Sequence, residues 1–130
     1  MKLRLVIPIV LLFLATPTGA VVAGEQITAG NFSFYKNIAW QLGRLYFVAM
    51  SHCPYAGKAL DLQVAFYNLL QQNQYVNQCS KCRLALLMRF NDGFDSVSRY
   101  IRTQHNLPPD LRSCPVVGKN IDALIKRLSQ

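Results

Sequence analysis

From Asn31 onward the apolar residues recur at three- and four-residue steps, a spacing that commits the chain to helices. The clearest stripe is Tyr35, Ile38, Leu42, Leu45 and Ala49, which predicts a first helix capped by Asn31 or Ser33 and running to about Ser51. Trp40, Phe47 and Val48 fall off that stripe, leaving Asn37, Gln41 and Arg44 as a narrow polar strip. Such a helix is buried on most sides or faces a partner. Pro54 suits the first turn of a second helix to about Gln72. Its polar strip is Lys58, Asp61, Asn68 and Gln72, with Leu60, Leu62, Val64, Phe66, Leu69 and Leu70 around the remainder, so it too is predicted to be mostly buried. Gln71 to Gln78 reads as a polar turn. Asn77 then caps a third helix to Phe90, which Asn91-Asp92-Gly93 ends. A fourth runs from Phe94 to His105 with Val97, Tyr100 and Ile101 inward, and Pro108-Pro109 prevents its continuation. The fifth follows Cys114-Pro115 with Val117, Ile121, Leu124, Ile125 and Leu128 on one face and Lys126 and Arg127 at its C-terminal end. No stretch alternates apolar and polar residues between hairpin turns. The expected fold is therefore all-α, a bundle of about five helices.

The only four cysteines are Cys53, Cys79, Cys82 and Cys114. An even number in a small exported domain predicts two disulfides. Chain entropy does not choose among the three pairings: it gives about 7 kcal/mol where Cys79 and Cys82 are split and about 6 where they pair with each other. Continuous helical geometry would put Cys79, Cys82, Leu86 and Phe90 on one inward stripe, which favours Cys53 and Cys114 each bridging to the third helix. Cys79-Ser80-Lys81-Cys82 also has the spacing of a redox pair, with Lys81 and Arg83 nearby to favour a thiolate. The polar run before it, however, is unlike the buried strand that precedes thioredoxin-type pairs. Arg83 stands where covalent haem attachment requires histidine, and one close pair with two isolated cysteines is poor zinc-site spacing.

Residues 1–23 carry the grammar of a secretory signal peptide: Lys2 and Arg4, an apolar run from Leu5 to Ala15, then Pro17, Gly19 and small residues before Gly24. The run is shorter than the roughly 18 residues a membrane span needs. Processing would leave residues 24–130 as a single periplasmic or extracellular domain without a transmembrane anchor. Lys2 and Arg4 depart with the leader, so 12 basic and 6 acidic residues remain, net +6. That charge suits anionic partners, and it equally suits plain solubility. Lys81, Arg83, Arg89, Arg99 and Arg102 form the candidate face for an anionic partner.

Catalytic constellations are missing from the sequence. His52 and His105 both lie at predicted helix ends, Glu25 is the sole glutamate, and Asp92-Gly93-Phe94-Asp95 reads as a turn rather than a calcium loop. No cofactor or metal is expected, and no specific nucleic-acid motif is present. Asn31-Phe32-Ser33 matches the N-glycosylation pattern, relevant only to a eukaryotic secretory route. Cys53-Pro54-Tyr55-Ala56-Gly57-Lys58-Ala59-Leu60-Asp61 echoes Cys114-Pro115-Val116-Val117-Gly118-Lys119-Asn120-Ile121-Asp122 at five of nine positions, read as two similar helix starts. The surplus of apolar and aromatic residues in the first two helices points to a protein partner, an apolar ligand or a homo-oligomer formed through those helices. The sequence therefore favours a non-enzymatic exported binding module, of the class of envelope inhibitors or immunity proteins. A thiol-disulfide oxidoreductase using Cys79 and Cys82 is the alternative.

Overall fold

The computed structural model describes residues 26–129. The expected signal peptide and its cut before Gly24 lie outside the described residues. Those residues form five α-helices and a 3-10 turn, with no strand among them: α1 Phe32–Ser51, α2 Ala56–Gln72, α3 Gln74–Asn77, α4 Ser80–Gln104, the turn Pro109–Leu111, and α5 Cys114–Leu128. The protein is an all-helical bundle.

α1 is the axis of the bundle. The predicted stripe Tyr35, Ile38, Leu42, Leu45 and Ala49 is buried, and Ala39, Gly43 and Val48 join it because α4, α2 and α5 all pack on this helix. Leu42, Leu62, Leu86, Val97, Val117 and Ile121 supply the centre of the core from four helices. Burying each leucine contributes roughly 1.5–3 kcal/mol. Before α1, the Asn31 side chain accepts from the Thr28 amide at 2.7 Å and donates to the Gln26 carbonyl at 2.8 Å. This folded-back segment seats Ile27 in the core, a contact the helical pattern gave no reason to expect.

The third and fourth predicted helices are one. Asn91-Asp92-Gly93 does not end a helix; α4 runs through it for 25 residues, because Gly93 serves packing rather than a cap. A Cβ built on Gly93 would fall on the backbone carbonyl of Trp40, and one built on Gly43 would fall on the carbonyl of Phe90 and 2.8 Å from the amide of Phe94. The two glycines thus let the backbones of α1 and α4 cross in direct contact. Tertiary packing outweighs a local stop signal whose cost is about 1 kcal/mol. α4 ends instead at His105, whose left-handed φ of 58° turns the chain toward the 3-10 turn.

The polar run before α4 also differs from its expected form. Asn73, buried, accepts from the Val76 amide at 3.1 Å and caps the short α3, which inserts Val76 into the core. Asn77 ends α3 and caps nothing; Cys79 is the residue that caps α4. α5 starts earlier than expected, at Cys114 with Ser113 as its cap and Pro115 in its first turn, and carries Lys126 and Arg127 in its last turn as the sequence pattern implies.

The second predicted helix is less buried than expected. α2 places Leu62, Phe66 and Leu70 inward, while Leu60, Val64 and Tyr67 occupy its outer face, 54 %, 58 % and 46 % exposed.

Candidate functional site

All four cysteines are paired, but as Cys53–Cys114 and Cys79–Cys82, so the expected bridges from Cys53 and Cys114 to the third helix are not made. The expectation failed on one residue. Cys79 is not helical: it has extended backbone angles, φ −127° and ψ 95°, and stands at the N-cap of α4. Its side chain therefore turns onto the first helical turn, where Cys82 lies with a Cα–Cα distance of 5.2 Å, within disulfide reach. The Cys79 Sγ is 3.1 Å from the Cys82 amide, one of the donors left without a partner inside the helix. Both residues are half-buried rather than enclosed.

Cys53 lies just beyond α1 and Cys114 opens α5, which brings together the two segments that echo each other in sequence. Lys58 of the first segment donates to both carboxylate oxygens of Asp122 in the second, at 2.7 and 2.9 Å. Gly118 sits where a Cβ would press to 3.1 Å on the Tyr55 ring. The converse ion pair, Lys119 with Asp61, is not formed, so the resemblance of the two segments does not extend to their contacts.

Beyond the Cys79–Cys82 pair a groove opens between α2 and α4. Tyr67, Leu70 and Gln71 line it from α2 and Arg83 and Leu87 from α4, around a volume of about 260 Å³. Tyr67 in its wall lies 6.2 Å from the ring of Phe66, which stacks on Phe90 at 5.3 Å, and Tyr46 meets Phe90 edge-on at 5.7 Å. Leu60 and Val64 lie on the same stripe of α2 as Tyr67, and Leu84 and Met88, 56 % and 55 % exposed, stand on the outer side of α4 next to the groove-lining Arg83 and Leu87 in sequence. The sequence reading anticipated surplus apolar surface on α2 but assigned as much to α1, whose surface is largely covered by its neighbours. It missed Leu84 and Met88 altogether. The legible signal was the four-residue step from Leu84 to Met88 on the side of α4 away from Leu86 and Val97.

The five basic residues proposed as one face are dispersed along α4. Arg83 lines the groove, Arg89 lies 3.6 Å from Asp92, and Lys81, Arg99 and Arg102 are exposed. Lys81 and Arg99 are 18 residues apart, about 27 Å of helix. The acids Asp92 and Asp95, both exposed, lie along the stretch between them.

The two histidines do not make a catalytic group with their neighbours. His52 Nδ1 is 2.6 Å from Ser51 Oγ, but that hydroxyl lies 2.6 Å from the Phe47 carbonyl and donates its one proton there, so it accepts from His52 rather than being activated by it. His105 is exposed at the end of α4. A second depression, about 330 Å³, lies between α1 and α5, but the Arg44 guanidinium in it is already engaged by both carboxylate oxygens of Asp110, at 2.6 and 2.9 Å, and stacks on Trp40 at 4.8 Å. Those hydrogen bonds hold the Asp110 carboxyl below its usual range despite partial burial. Among the described residues, no group of three or more His, Cys, Asp or Glu is placed to hold a metal, and no helix is long and apolar enough to cross a membrane.

The fold and the site thus define a small helical bundle stapled by one long-range and one local disulfide. Comparison with protein families, characterised proteins and solved structures finds no match to this chain.

Proposed function

We propose that this chain is an exported, non-enzymatic binding protein of the periplasm or extracellular space, released by cleavage near Gly24, and that the α2–α4 groove is its binding face. The observation that carries the reading is the exposure of large apolar side chains on the two helices that bound the groove: Tyr67 in its wall, Leu60 and Val64 on the same stripe of α2, and Leu84 and Met88 on the outer side of α4. Large aliphatic side chains grouped on the outside of a stable domain mark an interaction surface more often than isolated ones do. An open groove between helices favours a polypeptide over a small apolar ligand, which ordinarily occupies a deeper and more enclosed site. Arg83 at its edge adds a preference for an acidic partner. Two disulfides accord with an oxidising compartment.

Photo-crosslinking in the producing cell tests this. A benzophenone amino acid at position 64 or 88 should yield a discrete adduct with another protein, and one at the exposed Asn120, remote in sequence and on α5, should not. Equal labelling from all three positions overturns the reading. An adduct with a second copy of the chain replaces it with self-association.

A second reading, thiol-disulfide exchange, is favoured by a separate observation: Cys79 and Cys82 pair with each other at a half-exposed helix N-terminus. A bridge between residues three apart does little to hold a bundle together, so its presence asks for another role.

A further inference from the structure

The residue that follows the disulfide lines the groove, and that juxtaposition narrows the chemistry. Arg83 follows Cys82 in the chain, its amide donates to the Cys79 carbonyl at 3.1 Å, and its side chain lines the groove with Tyr67 and Leu87. We propose that the groove seats an extended, cysteine-bearing polypeptide and that Cys79–Cys82 oxidises two of its thiols to a disulfide, an inference that rests on the thiol-exchange reading.

The steps balance as follows. A thiolate of the bound polypeptide attacks Cys79 Sγ; the Cys79–Cys82 bond breaks, and its electron pair leaves with Cys82. The second thiolate of the polypeptide then attacks the polypeptide sulfur of the mixed disulfide, and Cys79 leaves. The polypeptide loses two electrons and two protons, and the protein gains both as the dithiol. The departing Cys79 sulfur is the one that already faces the Cys82 amide at the start of a 25-residue helix, where backbone donors and the helix dipole favour negative charge. Lys81, exposed in the same turn, and Arg83 add positive charge nearby. Stabilising the leaving thiolate makes the pair an oxidant rather than a reductant. The apolar surface of Tyr67 and Leu87 in the groove supplies what a disulfide alone lacks: selection for chains that still expose apolar side chains next to their cysteines.

The test is peptide oxidation by the full chain as purified from the producing cell, with the pair oxidised. Two reduced peptides are compared by mass analysis, each with two cysteines, one flanked by leucine and phenylalanine and the other by serine and glycine. The apolar peptide should be oxidised about tenfold faster. Tyr67→Ser, in the groove wall, should reduce that preference to twofold or less, whereas Val116→Ser, an exposed apolar position on α5, should preserve it. Incubated with the disulfide form of the apolar peptide, Cys82→Ser should form an adduct on Cys79, the reverse of the second step, and Cys79→Ser should form none. Equal oxidation of both peptides overturns the groove's role and leaves thiol exchange standing. No oxidation of either overturns both. An adduct confined to Cys82 overturns the assignment of Cys79.

Discussion

The two disulfides sit in regions built on opposite plans. Around Cys53–Cys114 the chain is fastened repeatedly: the bridge closes 61 residues of sequence separation, Lys58 reaches Asp122 on the adjoining helices, and Arg44 holds Asp110 in the turn that leads to Cys114. Around Cys79–Cys82 the bridge spans three residues and joins α4 only to its own N-cap. In the first region covalent and polar ties converge on one junction of α1, α2 and α5. In the second, α2 and α4 meet through Phe66 and Phe90 and open into a groove at Tyr67, Arg83 and Leu87. A disulfide that links distant helices constrains the unfolded chain strongly; one that links adjacent turns constrains it little and is free to open without loosening the bundle.

The largest effect should come from the first region. Replacing both Cys53 and Cys114 by serine should lower stability by about 4 kcal/mol in denaturant unfolding, the chain-entropy value for a loop of this length. A loss no greater than that from opening the local pair would erase the distinction between the two regions.

Next in size, and more informative about α4, is its crossing with α1. If the local disulfide does not tie α4 to the bundle, the glycine contact must. Gly93→Ala places a methyl group against the Trp40 carbonyl and should cost about 3 kcal/mol, since the atom it meets is backbone and cannot rotate away. Cys79→Ser with Cys82→Ser should cost under about 2 kcal/mol, because the entropic contribution of so short a loop is small and a serine hydroxyl at position 79 would itself cap α4. Urea unfolding of the two variants gives the order directly, and the reverse order would make the local bridge structural.

These contrasts also explain which parts of the molecule were legible in the sequence. α1 and α5 could be read because one apolar stripe at helical spacing faces one core, and burial followed it at Ile38, Leu42, Val117 and Ile121. The break at Asn91-Asp92-Gly93 misled because glycine has two uses, ending helices and admitting a crossing backbone, and only the position of Gly43 on the opposite helix tells them apart. The disulfide pairing turned on the backbone angles of Cys79, a property that residue spacing does not encode. The echo of the two Cys-Pro segments held more than two similar helix starts, since it marks the pair of segments that meet through Cys53–Cys114 and Lys58–Asp122. The candidate site was legible by halves. The Cys79–Cys82 spacing was plain, but the groove depends on where α2 and α4 open from each other, which a one-dimensional pattern cannot express.

A smaller effect sharpens the first region by pH. Arg44 lowers the Asp110 carboxyl below its unfolded value of about 3.9. A depressed acid contributes stability above the unfolded value and loses it as pH falls through the folded one. The carboxylate side chain is 61 % exposed, so solvent screening keeps the contribution below about 1 kcal/mol. Asp110→Asn should therefore be slightly less stable than the parent at pH 6, and the gap should close as pH falls below about 4. A gap that persists undiminished at pH 2 would mean that the carboxylate charge is not what matters.

The smallest expected effect bears most directly on the second region. Leu60→Ser and Met88→Ser remove large side chains that lie 54 % and 55 % exposed, so each should change unfolding stability by no more than about 0.5 kcal/mol. By contrast, Leu62→Ala and Leu86→Ala, on the inward faces of the same two helices, should each cost about 2–5 kcal/mol. If the outward pair proved as costly as the inward pair, Leu60 and Met88 would belong to the core and the groove would be no more than its edge. If the outward substitutions leave stability in place yet abolish the crosslinked adduct at position 64, the apolar residues of α2 and α4 contribute to recognition rather than folding. That separation of roles within single helices is what a binding face requires.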